Sequence, residues 1–314
     1  MPIDANHHAP TSLTRAAPIL YPPQMGWFAI AVLLAVSGFG CGRTSVTPPD
    51  RPARIVSLAP SVTETLFALG VGEEVVGVSQ YCDYPPAVLK LPRVGTFITP
   101  NIEAIVALQP TLVIGLSTVS DLREFRALRA MGIALLMVDD ASVEAIERSI
   151  VAVGEGVGKP DVARKLAASL NDHLQSVAAR MKAEPSRSVL MVVGHQPMVA
   201  VGRPNFLDEL LALAHADNIA ASANQGWPRL SLEYIVATRP DVILDGQMGD
   251  DPATPSHFWD SYPSIPAVAN HRVFGYPEDP TLHPGPRIGL TLEFLAHRIH
   301  PEAYHEHPAT EGPQ

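Results

Sequence analysis

Cysteine is nearly absent from the chain, with only Cys41 and Cys82 among 314 residues. That excludes a disulfide scaffold and any all-cysteine zinc module. Positive charge is also scarce: 22 Lys and Arg stand against 32 Asp and Glu, a net charge of -10 with no basic stripe. Binding along a phosphate backbone needs such a stripe, so nucleic acid is not an expected partner. Charged residues make up only 17% and apolar ones 46%, which excludes a wholly disordered chain. No Gly-x-Ser-x-Gly elbow, P-loop or Gly-x-Gly-x-x-Gly fingerprint follows a predicted strand. Gly154-Glu-Gly-Val-Gly158 has neither the order nor the context of one. An enzyme of those classes is not expected, and neither is a resident cofactor. Proline is plentiful instead, at 31 residues, and predicts many short, punctuated connections.

The only long apolar run covers residues 26–40, uncharged and followed directly by Cys41. It is shorter than the roughly 20 residues a bilayer span needs. It suits the hydrophobic core of an export signal. Small residues ahead of the cysteine, Gly38 and Gly40, resemble a bacterial lipoprotein processing site, where Cys41 becomes the lipidated first residue. The alternative is a single N-terminal membrane anchor with Cys41 incidental, and Met25 is an alternative start. Either way the folded part is expected to be exported and tethered. Residues 1–40 thus read as a signal segment, and the polar, Pro-rich stretch 41–53 reads as a spacer. Residues 301–314, rich in Glu, His, Pro and Gly, read as a frayed tail.

The middle of the chain repeats itself once. Residues 101–115 and 231–245 match in register at Glu, Ile, Val, Ala and Pro, 130 residues apart. In each copy a capping residue, Asn101 or Ser231, opens a helix. Glu103 or Glu233 falls in its first turn, where the helix dipole favours an anion. Pro110 or Pro240 ends the helix, and an aliphatic run follows as a buried parallel strand. A period that long is not a solenoid and fits two similar lobes.

A strand and turn are predicted at 54–60, and further strands at 74–79, 133–138, 188–193 and 272–276. Further helices are predicted at 61–70, 120–131 and 205–214. Thr63 and Glu64 are read at the start of the first of these. Between the lobes, Val162, Leu166, Leu170, Leu174, Val177 and Met181 recur at helical spacing after Pro160. A helix of about 36 Å is expected there as a rigid connector. The fold class is therefore α/β. Two Rossmann-like lobes with mostly parallel sheets, 54–158 and 185–300, are joined by one helix, 159–184.

Specific segments then carry a family resemblance. They are Arg54-Ile-Val-Ser-Leu-Ala-Pro-Ser-Val-Thr-Glu64, Gly77-Val-Ser-Gln-Tyr-Cys-Asp-Tyr-Pro-Pro86, Leu91-Pro-Arg-Val-Gly95, Trp227-Pro-Arg-Leu-Ser231 and Pro284-Gly-Pro-Arg-Ile288. With the paired Glu103 and Glu233 helices, the stretch from Arg54 to Ile299 resembles the substrate-binding proteins of ABC importers for cobalamin and ferric siderophores. It is most similar to the cobalamin branch. The resemblance implies a monomer holding a corrinoid in the cleft between the lobes and closing modestly around it. It implies delivery to an ABC permease dimer with its ATPase subunits. Haem, a ferric siderophore or a metal ion is the alternative cargo, and an enzyme or a structural envelope lipoprotein ranks lower.

By the same resemblance, Glu103 and Glu233 dock onto permease arginines; the bland alternative is two ordinary first-turn acids. Tyr81, Phe97 and Trp227 supply flat apolar area for a ring ligand, unless they are core residues. His195 and Gln196 sit at a strand end on the cleft rim, and His283 in a loop. Either histidine ligates a metal centre, hydrogen-bonds an amide, or does neither. Arg287 contacts an anionic group or caps a helix. The chain departs from the cobalamin pattern at Leu116 and Pro280, where the enteric binder has aromatic residues. Cys82 is expected to be a small buried side chain. His297, His300, His305 and His307 are expected on solvated surface rather than around a metal.

Overall fold

The computed structural model describes residues 53–246 and 257–304, which fall within one compact unit, Pro49–Gln314. The expected signal segment, Cys41, His305 and His307 lie outside the described residues.

The first half runs β1 (Ile55–Ser57), α1 (Pro60–Ala68), β2 (Val75–Val78), α2 (Ile102–Ala107), β3 (Leu112–Leu116), α3 (Arg123–Ala130), β4 (Ala134–Val138) and α4 (Val143–Gly156). Its sheet is wholly parallel, in the order β2-β1-β3-β4. The connecting helix α5 (Pro160–Met181) follows. The second half contains β5 (Arg187–His195), β6 (Met198–Ala200), α6 (Phe206–Leu213), β7 (Ala216–Asn218), α7 (Leu232–Thr238) and β8 (Val242–Asp245). It closes with α8 (Pro266–Ala269), β9 (Val273–Gly275), the kinked turn α9 (Glu278–Thr281) and α10 (Ile288–Ile299). There the order is β6-β5-β8-β9, with β7 beside the first half of β5 and β6 antiparallel to its second half. Two lobes with mostly parallel sheets are thus the observed architecture.

Strand periodicity explains how the lobes share a core. Side chains alternate across a strand. Ile55, Ile114, Val189, Met191, Val242 and Leu244 turn to one continuous cluster that also takes in Leu170, Leu174 and Val177 of α5 and Leu292 of α10. The alternate residues turn outward. Val56, Val113 and Ile105 form a layer under α2, while Leu190, Ile243 and Ile235 form its counterpart under α7. Both repeats therefore lie on outer faces. Their helices start as expected: Asn101 accepts from the Ala104 N–H at 3.0 Å, and Ser231 from the Tyr234 N–H at 3.2 Å.

The connecting helix has 22 residues, about 33 Å at the α-helical rise. Its buried stripe is shifted from the expected one: Val162 is exposed, and Ala163 and Ala167 are buried in its place. The reason is α4, a helix missing from the sequence reading, which crosses α5 closely at small residues. A Cβ on Gly154 would stand only 2.1 Å from that of Ala163. Other differences are local. β5 runs on to His195 and turns through Gln196 and Pro197 into β6, so Val193 is not the strand end. Helix α1 starts at Pro60, so Glu64 lies beyond its first turn and is buried. His300 is fully buried at the end of α10, contrary to the surface expectation for the terminal histidines.

Gly154→Ala is expected to destabilise the protein by about 1–3 kcal/mol through overpacking at the α4–α5 crossing. Urea denaturation of this variant against Gly156→Ala checks it; there the neighbour is the flexible end of Leu136.

Candidate functional site

In the first lobe the segment after β2 is held from beneath by a buried thiol. Cys82 Sγ lies 3.1 Å from Thr63 Oγ1 and 3.1 Å from Ser79 Oγ. Burial pushes the Cys82 thiol pKa up, which keeps it an inert small side chain as expected. Arg93 donates to Ser79 O at 3.0 Å and also to Cys82 O. With its middle anchored, the loop leaves Tyr81 and Tyr84 half-exposed.

Tyr84 meets the second lobe. The Arg287 guanidinium sits 3.8 Å from the centroid of its ring. From α10's N-terminal boundary, Arg287 crosses to α1 and grips Glu64 bidentately, Nε to Oε2 at 2.8 Å and Nη2 to Oε1 at 2.6 Å. Nη2 also donates to Asp279 Oδ1. His283 Nδ1 lies 2.9 Å from Asp279 Oδ1 and 3.8 Å from Glu64 Oε1. Burial pushes the Glu64 carboxyl up, and the hydrogen bond and charge of Arg287 draw it back. Burial likewise works against the Arg287 charge, but Glu64 and Asp279 hold its pKa above the ordinary value. Glu64, Asp279 and His283 converge at a spacing that suits a metal ion. The guanidinium already supplies a cation to both carboxylates, so the cluster reads as an ion-pair network. Arg287 is thus committed to protein carboxylates, beyond the two roles the sequence suggested for it.

In the second lobe, His195 Nε2 lies 2.9 Å from Asp245 Oδ1, and Trp259 Nε1 donates to Asp245 Oδ2 at 2.8 Å. Phe258 stacks on the imidazole with centroids 4.5 Å apart. One His195 nitrogen is therefore held by its own lobe. Gln196 is exposed at the turn beyond it.

The remaining predicted residues separate. Phe97 is partly buried against the shared core. Trp227 is 50% exposed. It precedes a segment added outside β6, where Ala200 N donates to Pro228 O and Leu230 N to Met198 O, both at 3.0 Å. The first lobe has a counterpart at its own edge strand: Val78 N donates to Pro92 O at 3.0 Å and Val94 N to Val78 O at 2.9 Å. Each edge segment leads into a repeat helix. Glu103 and Glu233 both stand exposed there, two residues before a fully buried isoleucine, Ile105 or Ile235. The Glu233 carboxylate is held below its usual range by its own backbone N–H and by Ser231.

The sequence reading missed Glu64, Tyr84, Asp245, Asp279, Phe258 and Trp259. The dense aromatic run from Phe258 to Tyr262 was a usable signal for the last two.

Comparison with known proteins was made on this geometry. A family model described as periplasmic binding protein matches residues 55–280. The uncharacterized ABC transporter substrate-binding lipoprotein YvrC of Bacillus subtilis strain 168 is 33% identical over 270 residues, covering 83% of this chain and 84% of the relative. Among solved structures, the periplasmic heme-binding protein RhuT from Roseiflexus sp. RS-1, in apo form, matches with TM-score 0.71 at 30% identity, covering 81% of this chain and all of that one (100%). The periplasmic vitamin B12 binding protein BtuF of Vibrio cholerae matches with TM-score 0.70 at 28% identity, covering 81% and 99% respectively.

Two outcomes follow at the seam between the lobes. Arg287→Ala is expected to cost about 3–5 kcal/mol in urea denaturation, because it strands the buried Glu64 carboxylate. The double variant Arg287→Met/Glu64→Leu recovers part of that loss. Nearby, Asp140 lines the same seam with Ser61, Pro284 and Gly285. Burial and the adjacent Asp139 push its carboxyl up to about 6. The folded state then holds a proton that the unfolded chain releases near pH 4, so this group adds stability as pH falls through about 6. Asp140→Asn is expected to raise stability at pH 7 by about 1 kcal/mol and to flatten the pH dependence of Tm between about pH 4 and 7.

Proposed function

Because the chain belongs to the periplasmic binding protein family, whose members bind solutes and are not enzymes, we propose that it captures a corrinoid between its lobes for an ABC importer. Its role as the substrate-binding component of an ABC transporter implies a permease, an ATPase and a small-molecule ligand as partners. One observation carries the ligand class: aromatic rings stand half-exposed on loops of both lobes, Tyr81 and Tyr84 on one and Trp227 on the other. Large rigid rings left in water suit a broad, flat, partly apolar ligand. Similarity to a vitamin B12 binding protein supports a corrinoid.

Haem is the second reading, favoured by the similarity to RhuT. Tyr81, Phe97, His195, Gln196, Trp227, His283 and Arg287 are the proposed ligand surroundings, with Tyr84 added. Arg287 and His283 act there mainly by fixing the rim, since both are bonded to Asp279.

Glu103 and Glu233 are the proposed docking acids. Each stands exposed on the outer face of a different lobe, a placement that suits charge-assisted pairing with arginines of a permease. Lipidation at Cys41 is proposed as the tether, in keeping with the naming of YvrC as a lipoprotein.

Isothermal titration of the purified chain with cyanocobalamin and with haemin separates the two readings. The expected result is one cyanocobalamin per chain, with Trp227→Ala weakening it about tenfold. Haemin binding with no cobalamin binding overturns the corrinoid reading in favour of haem. The charge reversals Glu103→Lys and Glu233→Lys are expected to leave this affinity intact and to abolish transport in reconstituted vesicles; loss of affinity instead sinks the docking role.

A further inference from the structure

Away from the cleft, three segments meet where the connecting helix ends. Glu184 lies in the turn after α5, its N–H bonded to Met181 O at 3.0 Å. His300 closes α10, and Glu302 follows in the short helical turn Pro301–Tyr304. The ligating atoms of Glu184, His300 and Glu302 lie within 4.8 Å of one another.

The histidine is the unusual member. Its side chain has 0% exposure, and neither ring nitrogen has a partner in hydrogen-bonding geometry. Leaving a buried polar group unsatisfied costs roughly 1–3 kcal/mol, so an imidazole placed there calls for a partner. Glu302 Oε1 stands 3.6 Å from Nδ1, too far for a hydrogen bond. It is close to the roughly 3.3 Å that separates two ligands on one tetrahedral zinc with bonds near 2.0–2.1 Å.

The surroundings agree. Burial, reinforced by Arg187, holds the His300 pKa below its usual value, which keeps the imidazole in the neutral, ligating form. Burial opposes ionisation of Glu302, but its own backbone N–H and Arg187 lower its pKa overall. Arg187 Nη2 stands 2.8 Å from the same Glu302 Oε1 and Arg187 also donates to Ile299 O, so it orients one carboxylate of this cluster, unlike Arg287 at the seam, which holds both. Arg272 donates to the same carbonyl at 2.7 Å, so both guanidinium groups are tied to the end of α10.

We propose that Glu184, His300 and Glu302 form a site for a divalent transition metal of the zinc class, which clips the end of the connecting helix to the end of α10. One nitrogen and two carboxylate oxygens suit zinc, with water in the fourth position. The bound ion stabilises the folded chain by mass action, since the unfolded chain does not hold the three groups together.

The test uses the full chain, stripped with EDTA and titrated with ZnCl2 and CoCl2. One zinc per chain is expected by calorimetry, together with a zinc-dependent rise in Tm and the visible bands of tetrahedral cobalt. Glu184→Gln and Glu302→Gln are each expected to weaken zinc at least about tenfold while cyanocobalamin titration is unchanged. Glu184 is partly exposed, so E184Q is a variant that folding failure does not obscure. The proposal is overturned by a Tm indifferent to zinc. It is equally overturned if E184Q and E302Q bind zinc like the parent, or if binding is lost only in His283→Gln.

Discussion

Arg287 reaches across the seam between the lobes and holds Glu64 with two parallel hydrogen bonds, 2.8 and 2.6 Å long. Both side chains are largely withdrawn from water, so the pair is worth keeping only while its geometry is good. A single helix joins the two sheets, and it fixes distance better than it fixes facing. The facing is set by side chains that cross the seam. Arg287 crosses it, Gly285 packs against Ser61, and Glu209 of α6 accepts from the Val143 N–H at 2.8 Å. The same guanidinium lies over Tyr84 and, through Asp279, positions His283.

The internal repeat gives each lobe the same plan. A short edge segment pairs outside a strand, a capped helix follows, and a proline passes the chain into a central strand. Inner-face residues of both central strands join one shared core, while outer-face residues make a private layer under the repeat helix. This is why one acid per lobe stands in water. Glu103 and Glu233 occupy the same turn of equivalent helices whose next-but-one residue is wholly buried.

Local rules made much of this legible. Caps at Asn101 and Ser231, prolines after the repeat helices and aliphatic runs behind them name the central elements of both lobes, because capping and strand burial act over a few residues. Weak periodicity hid others. β6 and β7 are three residues each, too short for alternation to show. Helix α4 displaced the expected stripe on α5 because its small residues let two helices approach closely, a fact about a pair of helices that one helix does not carry. Of the residues expected to line a ligand, Tyr81 and Trp227 stand exposed, whereas Phe97 packs partly against the core. Glu64 looked like a helix-start acid until Pro60 placed the start earlier and Arg287, 223 positions away, supplied its partner.

By itself the sequence determined the two-lobe α/β class, the long connector, the duplicated acid-bearing helix and the family, since each rests on spacing or on motifs read in line. Only the tertiary structure decided which polar side chains meet. Arg287 with Glu64, His195 with Asp245, and Glu184 with the end of α10 at His300 and Glu302 are meetings of distant segments. Their energies depend on burial and on separations of a few ångströms. Such distances do not exist until the sheets, the connector and the terminal helix have packed together.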